Sequence, residues 1–251
     1  MSDAIDEMKA QKVLAVVMPL YDGTLCWETW FQLREEEILF RMLGLPWRID
    51  PVIIAGCSAI HIARNDGVYH ALERGADAIM WIDGDMNWTS GAIARLLAHD
   101  VDIVGAAVPR KEAPINWNVR WLNDDANVEP HPEKGLIEVA TLGTGFMLTK
   151  RRVYELMAER LGPEYRYLGR EDMKERVCYF EAPLAWGEDT RFCNQWRSLV
   201  GGKIWVDPAI TMQHIIAPKW SVKACLGEWL AEKKAEREEA ATSLMPVAMA
   251  R

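Results

Sequence analysis

The stretch LERGADAIMWIDGDM, residues 72–86, decides the fold. Its first residues close a helical pattern that ends near Gly75, AIMWI (78–82) holds no polar residue, and the acidic triplet Asp83-Gly84-Asp85 follows at once. An unbroken apolar run this short, set between a helix end and a polar turn, reads as a strand buried on both faces. Two carboxylates therefore project from a buried edge into a cleft. Toward the N-terminus, VLAVVM (13–18), ending at Pro19, reads as a buried first strand. A helix is expected over about 27–42, with Trp27, Trp30, Phe31 and Ile38 on one face, and VIIA (52–55) as a second buried strand. Ser58 is placed to cap the next helix, which carries Ile62, Ala63, Val68 and Ala71. On the other side, Thr89 or Ser90 is placed to cap a helix with Ile93, Leu96 and Leu97, and a fourth strand starts at Asp102. This alternation predicts an α/β, mostly parallel sheet flanked by helices, with its active site at the carboxyl ends of the strands.

The regularity breaks at 109–135, a polar stretch with Pro109, Pro114, Pro130 and Pro132, whose Trp117 and Trp121 suggest a loop that orders over a ligand. IEVATLGTGFML (137–148) reads as one or two strands with a tight glycine turn, followed by a helix over 150–160 and a second irregular insertion over 162–180. A helix over 189–199, a strand over 203–206 and a charged helix over 221–240 with Ala224, Leu226, Trp229 and Leu230 as its apolar side complete the pattern, and 241–251 reads as a loose tail.

Bulk properties narrow the function classes. Half of the 251 residues are hydrophobic and 12 are tryptophan, which suits a large core and a cleft to fill. No apolar stretch approaches the ~18 residues of a membrane span. The polar, acidic start MSDAIDEMKAQK is unlike a signal peptide, and the five scattered cysteines form no CxxC pair. Both features predict a cytoplasmic protein. A net charge of −8 argues against a protein that coats nucleic acid with its whole surface, without excluding a local basic groove.

Adjacent carboxylates repel unless a cation or proton compensates, and hard divalent cations favour such oxygen ligands. The plainer reading of the triplet is an acidic strand-to-helix turn. A calcium loop of the EF-hand type is excluded, because its sixth and twelfth positions hold Trp88 and Ala94 in place of Gly and Glu. The haloacid-dehalogenase type carries its aspartates on the first strand, whereas these follow the third. Pro19-Leu20-Tyr21-Asp22 offers no glycine-rich dinucleotide turn, and no P-loop is present.

Several stretches together resemble glycosyltransferases of the GT-A fold, near family 2 and its bacterial and phage relatives. They are VVMPLYDG (16–23), ARND (63–66), LERGADAIMWIDGDM (72–86), GTGFMLTKRRVYE (143–155), GEDTRFCNQWRSLVGGKIWVDP (187–208) and His214. The resemblance covers about 13–215 outside the two insertions, and implies a GT-A-like (Rossmann-like) catalytic domain over 13–219. Residues 13–108 would be its nucleotide-binding half and 109–219 its acceptor and catalytic half, with 1–12 a tail and 220–251 a C-terminal helix and tail through which copies of the chain could pair. By this resemblance Pro19, Tyr21, Ser58 and Arg64 would meet the nucleotide, with Ser58 standing where many relatives place an acidic residue that reads uracil. Asp85 and His214 would ligate Mn²⁺ or Mg²⁺, and Asp83 would reach the ribose or the metal. Gly143, Thr144 and Gly145 would lie beneath the donor sugar, and Asp189 and Glu188 would be the catalytic carboxylates.

The implied activity is metal-dependent transfer of a sugar from a nucleotide-diphosphate sugar to an acceptor hydroxyl. Trp117, Trp121 and Tyr167 could stack on an acceptor, and Arg110, Lys111 and Arg120 could meet phosphates, so the acceptor could be a saccharide, a small molecule or a modified nucleobase in DNA. Two other classes use the same residues: a nucleotidyltransferase or nucleotide-phosphate hydrolase, which would release phosphate or diphosphate, and a non-catalytic nucleotide-sugar binder, which would show no turnover.

Overall fold

The computed structural model describes residues 11–111, 116–122, 128–169, 172–215, 222–225 and 234–235. In chain order its elements are β1 (Lys12–Leu20), α1 (Trp27–Met42), β2 (Trp47–Ala55), α2 (Ile60–Glu73), β3 (Ala78–Ile82), β4 (Met86–Trp88), α3 (Ala92–Ala98), β5 (Ile103–Gly105) and β6 (Val119–Trp121). They continue with β7 (Ile137–Leu142), β8 (Phe146–Lys150), α4 (Arg151–Arg160), β9 (Arg166–Leu168), β10 (Glu175–Val177), α5 (Glu188–Gln195), β11 (Ile204–Val206), β12 (Thr211–His214) and β13 (Val222–Cys225). The helix expected over 189–199 is α5 prolonged by a π-turn at Trp196–Val200.

The main sheet has the order β2-β1-β3-β8-β5-β11-β7-β6. β1 lies parallel to β2 and β3, and β5 to β11, but β8 is antiparallel to β3 and β5, and β7 to β11 and β6. The sheet is thus mixed, not mostly parallel. The cause is local. β7 and β8 run the same way, against β3, β5 and β11, so Gly143-Thr144-Gly145 sidesteps from one strand position to another without reversing the chain. The expected tight turn is that sidestep, and it crosses Gly105, where a Cβ would stand 2.3 Å from the Phe146 carbonyl and 2.9 Å from Leu142.

β1 and β3 form the floor of the core, since Leu14–Met18 and Ala78–Ile82 are almost fully buried. One face of the sheet packs Val68 and Ala71 of α2, Val153 and Met157 of α4, and Phe192 of α5. The other packs Leu33 and Phe40 of α1 with Ile93 and Leu96 of α3. β2 is an edge strand and largely open, with Ile53 half exposed, so VIIA is apolar without being doubly buried.

α1 reverses the orientation its apolar pattern predicts. Trp27, Phe31 and Ile38 face outward, whereas Thr29, Gln32 and Glu36 are buried. The polar stripe is needed inside: the Thr29 hydroxyl donates to the Met86 carbonyl at 2.7 Å, and Glu36 accepts from the Trp88 indole at 3.2 Å and the Gly91 amide at 2.7 Å. Glu36 therefore does at α3 the capping expected of Thr89 or Ser90, and the first residue of α2 is preceded by Ala59, with no side-chain cap from Ser58. Of the two insertions, the first contains β6 and a Pro109–Trp117 bridge, and the second folds into the β9–β10 hairpin. The C-terminal expectation also changes: 222–225 is a strand, joined through β12 to β4. Leu226, Trp229, Leu230 and the pairing surface assigned to them lie outside the described residues. Among these, no helix is long and apolar enough to cross a membrane.

Candidate functional site

The carboxyl end of β3 delivers Asp83 and Asp85 into a cleft of about 370 Å³, lined by Pro19 and Tyr21 from β1 and its loop, Arg64 from α2, Lys111 and His214. The triplet is fixed from below. The Asp83 amide donates to the Gly145 carbonyl at 3.1 Å, the Cys26 amide donates to the Gly84 carbonyl at 2.9 Å, and the Ile215 amide donates to the Asp85 carbonyl at 2.7 Å. Gly84 packs inward, since a Cβ there would stand 2.5 Å from the Leu20 side chain.

Arg64 organises the charge. It is 5% exposed and lies between two carboxylates, Asp83 at 3.4 Å and Glu188 at 2.9 Å. That joins α2, β3 and the first turn of α5 in one ionic chain, in which the Arg64 Nη1 meets Glu188 as an ion pair without hydrogen-bond geometry and the Nε makes no hydrogen bond among the described residues. Desolvation raises the Asp83 carboxyl above its ordinary range, Arg64 opposes that, and the neighbouring Asp85 raises it further. A third of the Asp83 side chain still opens into the cleft.

His214 and Lys111 converge on Asp85. The His214 Nδ1 is 2.7 Å from the Pro109 carbonyl, which can only accept, so Nδ1 carries the proton. Nε2 is left facing the Asp85 carboxylate at 3.6 Å. Two acceptors in that relation call for a cation or a second proton between them, and a ligating histidine is ordinarily oriented by such a carbonyl bond. The Lys111 ammonium is ion-paired with the other Asp85 oxygen. Among the described residues no group of three or more His, Cys, Asp or Glu side chains is arranged to hold a metal. The donor chemistry of Asp85 and His214 suits a hard or borderline divalent cation, with Lys111 the competing positive charge.

No protein-family model matches this chain. No curated protein matches it. Thirteen chains of solved structures do. One is described as "Crystal Structure of A197 from STIV", 16% identical, covering 82% of this chain and 87% of that one at a TM-score of 0.51. The likeness shows the fold alone: an α/β architecture with a mixed sheet flanked by helices.

Of the residues singled out in the sequence, Pro19, Tyr21, Arg64, Asp83, Asp85 and His214 share one cleft. Glu188 joins them through Arg64, and Asp189 is close enough to Asp83 to raise its carboxyl electrostatically. Gly145 lies against Asp83, where a Cβ would stand 3.1 Å from the carboxylate, and the buried Thr144 hydroxyl makes no hydrogen bond among the described residues. Gly143 packs on Asn118, whose amide nitrogen would be 1.8 Å from an added Cβ. Ser58 is exposed and does not line the cleft. Trp117 is buried in the core, so it presents no face to an acceptor, and Trp121 packs partly buried against the same cluster. Tyr167 lines a separate cavity of about 670 Å³ beside β2. Sequence reasoning passed over Trp186, half exposed two residues before Glu188 with the Arg120 guanidinium 5.6 Å from its ring, and Thr29, whose hydroxyl supports the acidic turn. An aromatic just ahead of a helix that opens with two acids was the available signal for Trp186. Thr29 had none.

Proposed function

We propose that the protein is a glycosyltransferase that moves a sugar from a nucleotide-diphosphate sugar to an acceptor hydroxyl. The observation that carries this reading is Arg64, buried between Asp83 and Glu188 in the cleft that also holds Asp85 and His214. A buried guanidinium shared by two carboxylates is a charge reservoir that an incoming diphosphate can draw on. Lys111 adds a second positive group at the same edge. Mn²⁺ or Mg²⁺, bound by Asp85 and His214 with Asp83 alongside, would supply Lewis-acid neutralisation of the leaving diphosphate. Pro19 and Tyr21 would flank the nucleotide, and Gly143 to Gly145 would bring backbone and the Thr144 hydroxyl beneath the sugar. Glu188 is engaged by Arg64, which leaves Asp189 to accept the acceptor's proton. Trp186 would offer the acceptor an aromatic face in place of the buried Trp117.

The test is calorimetric titration of a panel of nucleotide-diphosphate sugars with and without Mn²⁺, on the native chain and on Asp85→Asn. One donor should bind only with metal, and Asp85→Asn should weaken it by more than about tenfold. Asp189→Asn should keep donor affinity while turnover falls by about 10²–10⁴-fold. Release of free phosphate without sugar transfer would identify a hydrolase, and equal donor affinity in Asp85→Asn would remove the acidic turn from the site.

A further inference from the structure

One short segment makes contact with both members of the Asp85–His214 pair. Residues 108–110 are clamped to 116–118: the Asn118 amide donates to the Val108 carbonyl at 2.9 Å, the Arg110 amide donates to the Asn116 carbonyl at 2.7 Å, and Pro109 bridges Trp117, whose side chain is buried in the core. With that backbone fixed, the Pro109 carbonyl accepts from His214 Nδ1, and two residues further on the Lys111 ammonium reaches Asp85. The segment therefore orients one candidate metal ligand and occupies the other.

The two tasks differ in permanence. Clamped backbone holds His214, whereas Lys111 acts through a long side chain that is 48% exposed and loses rotamer freedom while it is held. An ion pair between partly solvated groups is weak, so a divalent cation that also gains the His214 imidazole outcompetes the ammonium for Asp85. Arg64, by contrast, has a buried side chain between two carboxylates and stays in place. We propose that Lys111 is an exchangeable counter-ion: it neutralises Asp85 until a divalent cation takes that carboxylate, and its released ammonium then pairs with the diphosphate of the donor. This rests on the glycosyltransferase reading of the cleft and adds an order of binding to it. Each ligand then favours the other. A diphosphate that engages Lys111 removes the competitor for Asp85, and a cation on Asp85 frees Lys111 for the diphosphate, so the two are coupled beyond their direct contact. His214 is already oriented, so the exchange needs only the swing of one side chain.

Two measurements on the full chain test this, and neither depends on turnover. Trace acetylation of lysines with acetic anhydride, read residue by residue by mass spectrometry, reports how far Asp85 shields the Lys111 amine. Labelling of Lys111 should rise at least about twofold on addition of Mn²⁺. It should fall again when the uridine, cytidine, guanosine, adenosine and thymidine diphosphates are added in turn and one of them binds. Lys203, paired with Glu138 outside the cleft, should not respond, and in Asp85→Asn the Lys111 labelling should be high with or without Mn²⁺. Calorimetric titration with Mn²⁺ alone should show Lys111→Met binding the ion about five- to tenfold tighter than the native chain, and Lys111→Arg, which keeps the charge, within about threefold of it. Lys111 is half exposed, and circular dichroism should show each variant folded. Equal Mn²⁺ affinity in the native chain and Lys111→Met, with labelling unmoved by Mn²⁺, would overturn the exchange and leave the metal reading of the site intact. Absence of Mn²⁺ binding in both chains would overturn the two together. A nucleoside diphosphate that binds without metal while Lys111 stays shielded would make Lys111 the permanent counter-ion of Asp85, which also overturns the exchange.

Discussion

Arg64 shows what a single residue decides here. Its guanidinium is almost fully buried, whereas Asp83 opens about a third of its side chain to the cleft and Glu188 is mostly buried. Removing the positive charge leaves two acids facing each other across a desolvated gap, and breaking such a pair generally costs more than the pair contributes. Arg64→Met should therefore destabilise the fold by about 2–4 kcal/mol, less than a fully buried pair because Asp83 is partly solvated. Adding Glu188→Gln should recover part of that loss, and urea unfolding of the single and double variants measures both. An Arg64→Met variant as stable as the native chain would mean the carboxylates are already neutral or hydrated. The sequence exposes half of this arrangement. Asp83 and Asp85 are legible because they interrupt an apolar run, and His214 was placed by family resemblance. The pairing of Arg64 with Glu188, 124 positions away, depends on how α2 and α5 meet over the sheet, which no local pattern encodes. Ser58 and Trp117 mislead for the same reason: residue type suggests a contact, but the edge position of β2 and the core packing of the first insertion decide otherwise.

At the scale of an element, α1 is the instructive case. Its existence and limits follow from periodicity, yet the side it buries does not, because periodicity reports apolar spacing and not which stripe faces the sheet. The inner stripe sets Thr29, Gln32 and Glu36 beside the core residues Leu33 and Phe40, because β4 and the start of α3 present backbone groups that need partners. Glu36 serves there at a cost. Burial raises its carboxyl pKa above the ordinary 4.5, against the lowering effect of the Trp88 and Gly91 bonds. A carboxyl whose folded pKa is raised gives stability that is full below the unfolded value and is lost as pH rises through the folded value. Glu36→Gln keeps an acceptor for Trp88 and Gly91 without the buried charge. It should thus melt a few degrees higher than the native chain at pH 7.5, with the difference vanishing below about pH 4. Thermal melts at the two pH values test this, and a difference independent of pH would show that the charge is not the cost. The sidestep at Gly143–Gly145 carries the same lesson. Its glycines are visible in the sequence, but whether the chain reverses or moves across the sheet depends on β5 and β11 lying between β7 and β8.

At the scale of the whole molecule, strand order makes the two halves of the chain inseparable. Residues 13–108 supply β1, β2, β3 and β5, but β3 and β5 are not neighbours, because β8 from the second half is inserted between them. β5 pairs only with β8 and β11, both from the second half, so residues 13–108 alone would leave its backbone groups unpaired and Ile103 and Val104 without their sheet. The buried Asp207 adds a further tie, holding Arg95 at 2.5 Å and His99 at 2.7 Å on α3 from the end of β11. The proposed division into a nucleotide half and a catalytic half therefore does not divide the folding unit, and unfolding should treat 13–214 as one unit. Calorimetry should give a single transition with calorimetric and van't Hoff enthalpies equal within about 10%. A fragment ending at 108 should lack protected amides in β5 by hydrogen exchange, since stability of that strand arises only with its partners in place. Two resolved transitions, or a 1–108 fragment with native-like protection through β3 and β5, would show instead that the first half folds on its own. In that event the acidic turn could form before the rest of the cleft, and Asp83 would be free of Glu188's claim on Arg64 until the second half docked.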